Sequence, residues 1–99
     1  MTVRVVNNPE QSRYEVWSDD ALAGFSAYRE RAERTIFTHT EVDDAFAGKG
    51  LAKVLARHAL DDVVERGRVI VPVCPFIAAY IRKNSQYEIH VSWPENGES

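Results

Sequence analysis

His39-Thr40-Glu41-Val42-Asp43-Asp44-Ala45-Phe46-Ala47-Gly48-Lys49-Gly50-Leu51-Ala52-Lys53-Val54-Leu55 is the stretch in which the hydrophobic pattern changes its period. Upstream of it apolar and polar residues alternate, as in a strand; downstream the apolar ones recur at helical spacing. From Leu51 to Arg66 the residues Leu51, Val54, Leu55, Ala59, Leu60, Val63 and Val64 fall on one helical stripe. Lys53, Arg57, His58, Asp61, Asp62 and Glu65 take the other face, so the helix has one side to bury and one to solvate. Gly67 stands where a helix C-cap belongs.

Outward from this switch, the first forty-odd residues read as strands separated by turn formers. Val3-Arg4-Val5-Val6 runs into Asn7-Asn8-Pro9, and Arg13 to Trp17 stops at Ser18-Asp19-Asp20. Leu22 to Arg29 alternates, with Ala23, Phe25 and Ala27 opposite Ser26 and Tyr28. Thr35 to Val42 alternates too, Ile36, Thr38, Thr40 and Val42 opposite Phe37, His39 and Glu41. Such segments, broken by Asp, Asn and Pro, predict a four-stranded antiparallel meander. After the long helix, Val69 to Cys74 is a continuous apolar run that suits a buried strand. Pro75 takes a first helical position and opens a helix over Phe76 to Asn84. Tyr87 to Trp93 is expected to form a last strand. The order is ββββ-α-β-α-β: an α+β domain with a mixed, mainly antiparallel sheet and helices packed on it. It fills residues 1–94, and 95–99 are expected to form a flexible tail. Trp17, Phe25, Phe37 and Phe76 are expected in the core.

A chain of 99 residues supports one domain with a thin core. Hydrophobic residues at 44% and charged residues at 27% are the proportions of a globular protein. A net charge of -3, with no run of four Lys or Arg, argues against a nucleic-acid partner. Cys74 is the sole cysteine, which excludes a disulfide framework and a cysteine-based metal site. A free thiol suits the cytoplasm. No apolar run reaches the ~18 residues of a membrane span, and no signal peptide is expected. No metal and no membrane partner are expected.

Gly48-Lys49-Gly50 lies between the end of a strand and the start of the long helix. Two glycines let the backbone turn tightly and approach a ligand. The amides of the helix's first turn, at the positive end of its dipole, then face outward and suit a pyrophosphate. Lys49 adds a cation. In the alternative reading the glycines serve only the chain connection. Neither the Walker pattern nor the dinucleotide fingerprint fits, because Leu51 follows Gly50 and Lys53 stands where a third glycine is required.

Taken together, His39-Thr40-Glu41-Val42, Ala47-Gly48-Lys49-Gly50-Leu51-Ala52, Val71-Pro72-Val73-Cys74-Pro75-Phe76 and Ala79-Tyr80-Ile81 resemble the small YjdJ-type branch of the GNAT (GCN5-related N-acetyltransferase) superfamily. The resemblance covers nearly the whole chain. It implies a minimal GNAT-like fold and acetyl-coenzyme A as cosubstrate, its pyrophosphate cradled by the backbone of Phe46, Ala47, Gly48, Lys49, Gly50, Leu51 and Ala52. Val42, at the end of the fourth strand, would lie beside the pantetheine arm and offer an amide to the thioester carbonyl. The superfamily turn begins with Gln or Arg where this chain has Ala45, and Ala47 occupies a place often basic. Weaker coenzyme binding and a larger part for Lys49 are therefore expected. The helices that longer members carry after their first strand are missing, so the acceptor side is expected to be open.

Acetyl transfer to an amine needs a base, a donor for the oxyanion and a proton for the departing sulfur. His39 is the candidate base, with Glu41 on the same face to orient it, or else an ordinary strand histidine. Cys74, before a helix start, could be a covalent nucleophile with His39 as its base, a proton donor, or a small buried hydrophobe. Tyr80 resembles the superfamily tyrosine that acts as general acid near the coenzyme sulfur; otherwise it is a core tyrosine with its hydroxyl at the surface. The expected function is an N-acetyltransferase acting on an amine, small molecule or protein. A non-catalytic acyl-coenzyme A-binding module and a plain interaction domain are the alternatives.

Overall fold

The computed structural model describes residues 2–94. Strands β1 (Val3–Asn8), β2 (Arg13–Ser18), β3 (Ala21–Arg31) and β4 (Arg34–Val42) form the meander. Helix α1 (Leu51–Glu65), strand β5 (Val69–Pro72) and helix α2 (Pro75–Lys83) follow. The five strands lie in the order β1-β2-β3-β4-β5. The first four pair antiparallel, and β5 joins β4 in parallel. A parallel neighbour requires a crossover, which α1 supplies.

Both helices contribute to one core. Leu51, Leu55, Ala56, Ala59, Leu60 and Val63 of α1 are buried, together with Ile77 and Ile81 of α2. They meet Tyr14, Val16, Tyr28 and Phe37 from the sheet. Each large side chain so buried stabilises the fold by roughly 1.5–3 kcal/mol. Val54 and Val64 flank the stripe and are only half-buried. Gly67 follows the helix with φ +72°, the left-handed conformation that a C-cap turn needs.

Two features depart from the sequence expectations. Ser85–His90 is a 3-10 turn, not the start of a strand over Tyr87–Trp93. Its cause is Tyr87, buried and donating its hydroxyl to Asp61 Oδ1 on α1 at 2.6 Å, while Ile89 is 86% exposed. Only Val91 makes a bridge, to Ile70 of β5, and the Ser92 amide donates to the Ile70 carbonyl. The second departure concerns Trp17 and Phe25, which lie on the sheet face turned away from the core, where Glu15 also points. Arg4 stacks on the Trp17 ring at 5.2 Å and Arg13 on the Phe25 ring at 4.8 Å. Phe37 is in the core and Phe76 packs against it, as expected. The tail expected over 95–99 lies outside the described residues.

Candidate functional site

The site is where β4 and β5 part. Their parallel ladder ends at the pair Phe37 and Pro72. Proline has no amide hydrogen, so β5 cannot continue the ladder there, and Pro75 repeats the interruption. Between the two prolines the Val73 amide turns back to the Val71 carbonyl, and the Cys74 amide makes a last bond to the Phe37 carbonyl at 2.8 Å. The chain then enters α2. Beyond Phe37, β4 runs on through Thr38 to Val42 paired with β3, and among the described residues no strand lies on its outer edge.

That edge leads into the glycine turn. Asp43 opens a single 3-10 turn, Asp44–Phe46, its carboxylate accepting from the Ala45 amide at 2.9 Å. Phe46 packs on the core and anchors the turn. Ala47, Gly48, Lys49 and Gly50 are all exposed. Gly48 has φ +81° and Gly50 φ +72°, a backbone that side chains with a Cβ rarely adopt. Apart from the glycines' own chain neighbours, no described residue has an atom within 4 Å of where a Cβ would stand at either glycine, so both positions face open space. Gly50 is the N-cap of α1, no acidic residue occupies the first helical turn, and the Val54 amide is the first to reach back, to Gly50. The amides of Leu51, Ala52 and Lys53 thus point toward the turn with no side-chain acceptor, an arrangement that suits an anion. Leu51 itself is buried and Ala52 half-buried, which holds the helix start in place.

A bulge in β4 decides which side chains can work together. Tyr28 pairs with Phe37, but Ala27 pairs with His39, so Thr38 is an extra residue on β4. The bulge reverses the alternation read from sequence. Thr40 takes the helix-side face with Phe37, where its hydroxyl lies 2.9 Å from Ser26 Oγ and accepts from Cys74 Sγ at 3.3 Å. His39 and Glu41 turn to the opposite face, joined through His39 Nε2 and Glu41 Oε2 at 2.8 Å, with the Phe25 ring 6.1 Å from the imidazole. Both side chains are 60% exposed. His39 and Cys74 are therefore on opposite faces of the sheet and form no dyad. The expectation that they meet fails because alternation cannot register a one-residue bulge.

Tyr80 sits on α2, half-buried, with its ring 6.2 Å from Tyr87. Burial raises its hydroxyl pKa above the usual 10, with Arg57 opposing and Asp61 reinforcing. Val42, half-buried at the end of β4, is held close to β3 by Gly24, where any Cβ would stand 2.5 Å from the Glu41 carbonyl oxygen. The fold brings Gly24, Ser26 and Thr40 to this candidate site, and the sequence reading gave none of them a role. Among the described residues no group of three or more His, Cys, Asp or Glu could hold a metal ion.

Two clefts bear on where a ligand could sit, one beside this region and one away from it. One of about 140 Å³ is lined by Leu22, Phe25, Glu41 and Asp43, on the face that carries His39. A larger one, of about 290 Å³, lies between β1 and α1 and is walled by Asp61, Asp62 and Glu65. Its acidic wall makes it a poor place for a pyrophosphate.

Residues 13–90 match the family described as GCN5-related N-acetyl-transferase. Protein NATD1 of Xenopus tropicalis is 48% identical over 46 residues, which are 46% of this chain and 42% of that protein. Protein NATD1 of Gallus gallus is 46% identical over 55 residues, 54% of this chain and 50% of that one. Protein NATD1 of Homo sapiens is 48% identical over 46 residues, 46% and 41% of the two chains. The matched stretch thus spans about half of these relatives' own length or less. In three dimensions the chain resembles a GCN5-like protein of Staphylococcus aureus solved by NMR, with a TM-score of 0.69 over 95% of this chain and 92% of that one. At 19% identity that likeness is one of fold. The strand edge that opens at Pro72, the glycine turn and the family match over most of the chain converge: this protein belongs to the GCN5-related N-acetyltransferase family.

Proposed function

We propose that the protein is an acetyl-coenzyme A-dependent N-acetyltransferase of the small YjdJ-type branch, acting on an amine in the cytoplasm. The observation that carries this reading is a continuous path: the freed edge of β4 runs into a glycine turn and an uncapped helix N-terminus. On it the pyrophosphate is held by the backbone of Phe46 to Ala52 with Lys49 beside it, and the pantetheine arm lies along Thr38 to Val42. Bound there, acetyl-coenzyme A supplies an acetyl group already activated as a thioester. Holding an amine against it supplies much of the rate. The acceptor enters from the open face, where the Glu41 and Asp43 carboxylates line a cleft and attract a protonated amine. His39, with Nε2–H donated to Glu41, keeps Nδ1 to take the proton of the attacking nitrogen. Since Cys74 has no access to His39 as a base, transfer is direct, and Cys74 and Tyr80 are left as donors to the departing sulfur.

The exposed setting of His39 and Glu41 favours a second reading, a non-catalytic acyl-coenzyme A-binding module. Release of coenzyme A with a panel of amines (peptide N-termini, lysine, polyamines) separates the two. Saturable release with at least one amine, falling about 100-fold in His39→Ala, is the expected result. A thermal midpoint raised by acetyl-coenzyme A with no release from any amine would leave the module; no rise at all would remove the coenzyme site.

A further inference from the structure

Where the sheet opens, a chain of buried polar atoms lies behind the site. Ser26 Oγ is 2.9 Å from Thr40 Oγ1, and Cys74 Sγ–H donates to that same oxygen at 3.3 Å. Ser26 is wholly buried and Cys74 is 2% exposed. Thr40 reaches this place only because of the bulge at Thr38; in a regular strand it would face the other way. We infer that Thr40 is a positioning residue for Cys74, and that the Cys74 thiol, in place of the Tyr80 hydroxyl, returns the proton to the coenzyme sulfur. The inference rests on the acetyltransferase reading above.

The acceptor nitrogen bonds to the acetyl carbon, the C–S bond breaks, and its electron pair stays on the coenzyme sulfur. Cys74 gives its thiol proton to that sulfur and becomes a thiolate. Thr40, whose single hydroxyl hydrogen had been donated to Ser26, turns it to Cys74 Sγ; Ser26 then donates to Thr40 Oγ1. A weak S–H···O bond is thereby replaced by a charge-assisted O–H···S bond, so the relay favours proton release. The acceptor nitrogen sheds two protons, one to His39 before attack and one to water as the C–S bond breaks; His39 passes its own to water, and water reprotonates Cys74.

Of the ionisable groups on β4, His39 and Glu41 are on the opposite face, and Arg34 stands at the far end of the strand, opposite Val69. β5 has no ionisable side chain, α2 offers Tyr80, with Arg82 and Lys83 exposed in its last turn, and Lys53, Arg57 and His58 of α1 are exposed. Arg13 and Glu15 of β2 are paired with one another away from the core.

The test follows modification of the sole cysteine by methyl methanethiosulfonate in the free protein against pH, read by intact mass. Thr40→Val, which keeps the shape and removes the hydroxyl, is expected to move the midpoint up by about one unit, with Thr40→Ser restoring it. With acetyl-coenzyme A and an accepted amine, Thr40→Val is expected to lower kcat about tenfold and leave the KM for acetyl-coenzyme A unchanged. Should Thr40→Val not fold, Ser26→Ala is expected to shift the same midpoint in the same direction by less. An unmoved midpoint in these variants overturns the relay whatever the enzyme does. A kcat that falls in Tyr80→Phe but not in Cys74→Ala overturns the acid assignment. Wild-type protein that binds no acetyl-coenzyme A, seen as an unchanged thermal midpoint, overturns the acetyltransferase reading and with it any role for this proton.

Discussion

At its C-terminal end helix α1 is tied to the sheet by side chains, whereas at its N-terminal end the structure offers backbone alone. Tyr14 donates its hydroxyl to Asp62 at 2.6 Å, and Arg66 reaches both Asp62, at 3.1 Å, and the Tyr14 oxygen, at 2.9 Å. Arg68 adds Glu30 at 2.8 Å and Thr35 at 3.0 Å. Burial, with the Asp62 bond behind it, pushes the Tyr14 hydroxyl far above the usual tyrosine range. At the other end, two left-handed glycines precede the helix, and its first amides have no side-chain cap. A helix needs both ends satisfied. Here the Gly67 and Arg68 amides donate to the Val64 and Val63 carbonyls at one end, whereas the amides at the other have no side-chain partner.

If that division holds, substitutions at the two ends have separable effects. Asparagine and aspartate both tolerate the left-handed backbone of Gly50, but only aspartate puts a negative charge where the pyrophosphate belongs. Gly50→Asp is therefore expected to weaken acetyl-coenzyme A binding about 30-fold, or ~2 kcal/mol, and Gly50→Asn only about threefold. Calorimetric titration of both folded variants checks this; equal affinities would break the comparison. At the other end, Asp62→Ala leaves the Tyr14 hydroxyl and Arg66 short of an acceptor. It is expected to cost about 1–3 kcal/mol, a drop on the order of 10 °C in thermal midpoint. Its coenzyme affinity is expected to stay within about twofold, because the sites are distant. A loss of affinity matching the loss of stability would mean that the two ends are coupled.

Smaller effects sharpen the contrast. Lys49→Ala is expected to weaken coenzyme binding by about 0.5–1 kcal/mol at low salt and by less at high salt, since an exposed charge is screened. Titrations at two ionic strengths measure it. Glu15 lies apart from both ends of α1, and burial alone would raise its pKa. Bonds from Arg13, Asn8 and Trp17 outweigh burial and hold its carboxyl below the usual range. A folded pKa below the unfolded one contributes stability that is complete above the ordinary value of about 4.3 and is lost as pH falls through the folded value. The thermal midpoint of the wild type is thus expected to fall more steeply than that of Glu15→Gln below about pH 4.3, with coenzyme binding at neutral pH unaffected.

The meander, the switch of period at Leu51, both helices and the ββββ-α-β-α order were legible in the sequence, because alternation and helical spacing are local properties of the chain. The glycine turn was legible as a turn for the same reason, while the glycines alone fit a plain chain connection as well as a ligand site. The faces of β4 were not. One extra residue at Thr38 sends Thr40 to the thiol and His39 away from it, and nothing in His39-Thr40-Glu41-Val42 distinguishes a regular strand from a bulged one. Tyr87 misled for a different reason, since a strand-like run was captured by one long-range hydrogen bond to Asp61. Pro72 and Pro75 were the one available signal for the opening of the sheet, and they mark its place to the residue.

The central claim is that the bare N-terminal end of α1 is the coenzyme site, and backbone amide shifts measure it directly. With ¹⁵N-labelled protein titrated with acetyl-coenzyme A, the largest changes are expected at Gly48 to Lys53, with a second group along Thr38 to Val42. The amides around the acidic cleft, Val5 to Asn7 and His58 to Glu65, are expected to move least. Largest changes at that cleft, with Gly48 to Lys53 unmoved at saturating coenzyme, would contradict the account.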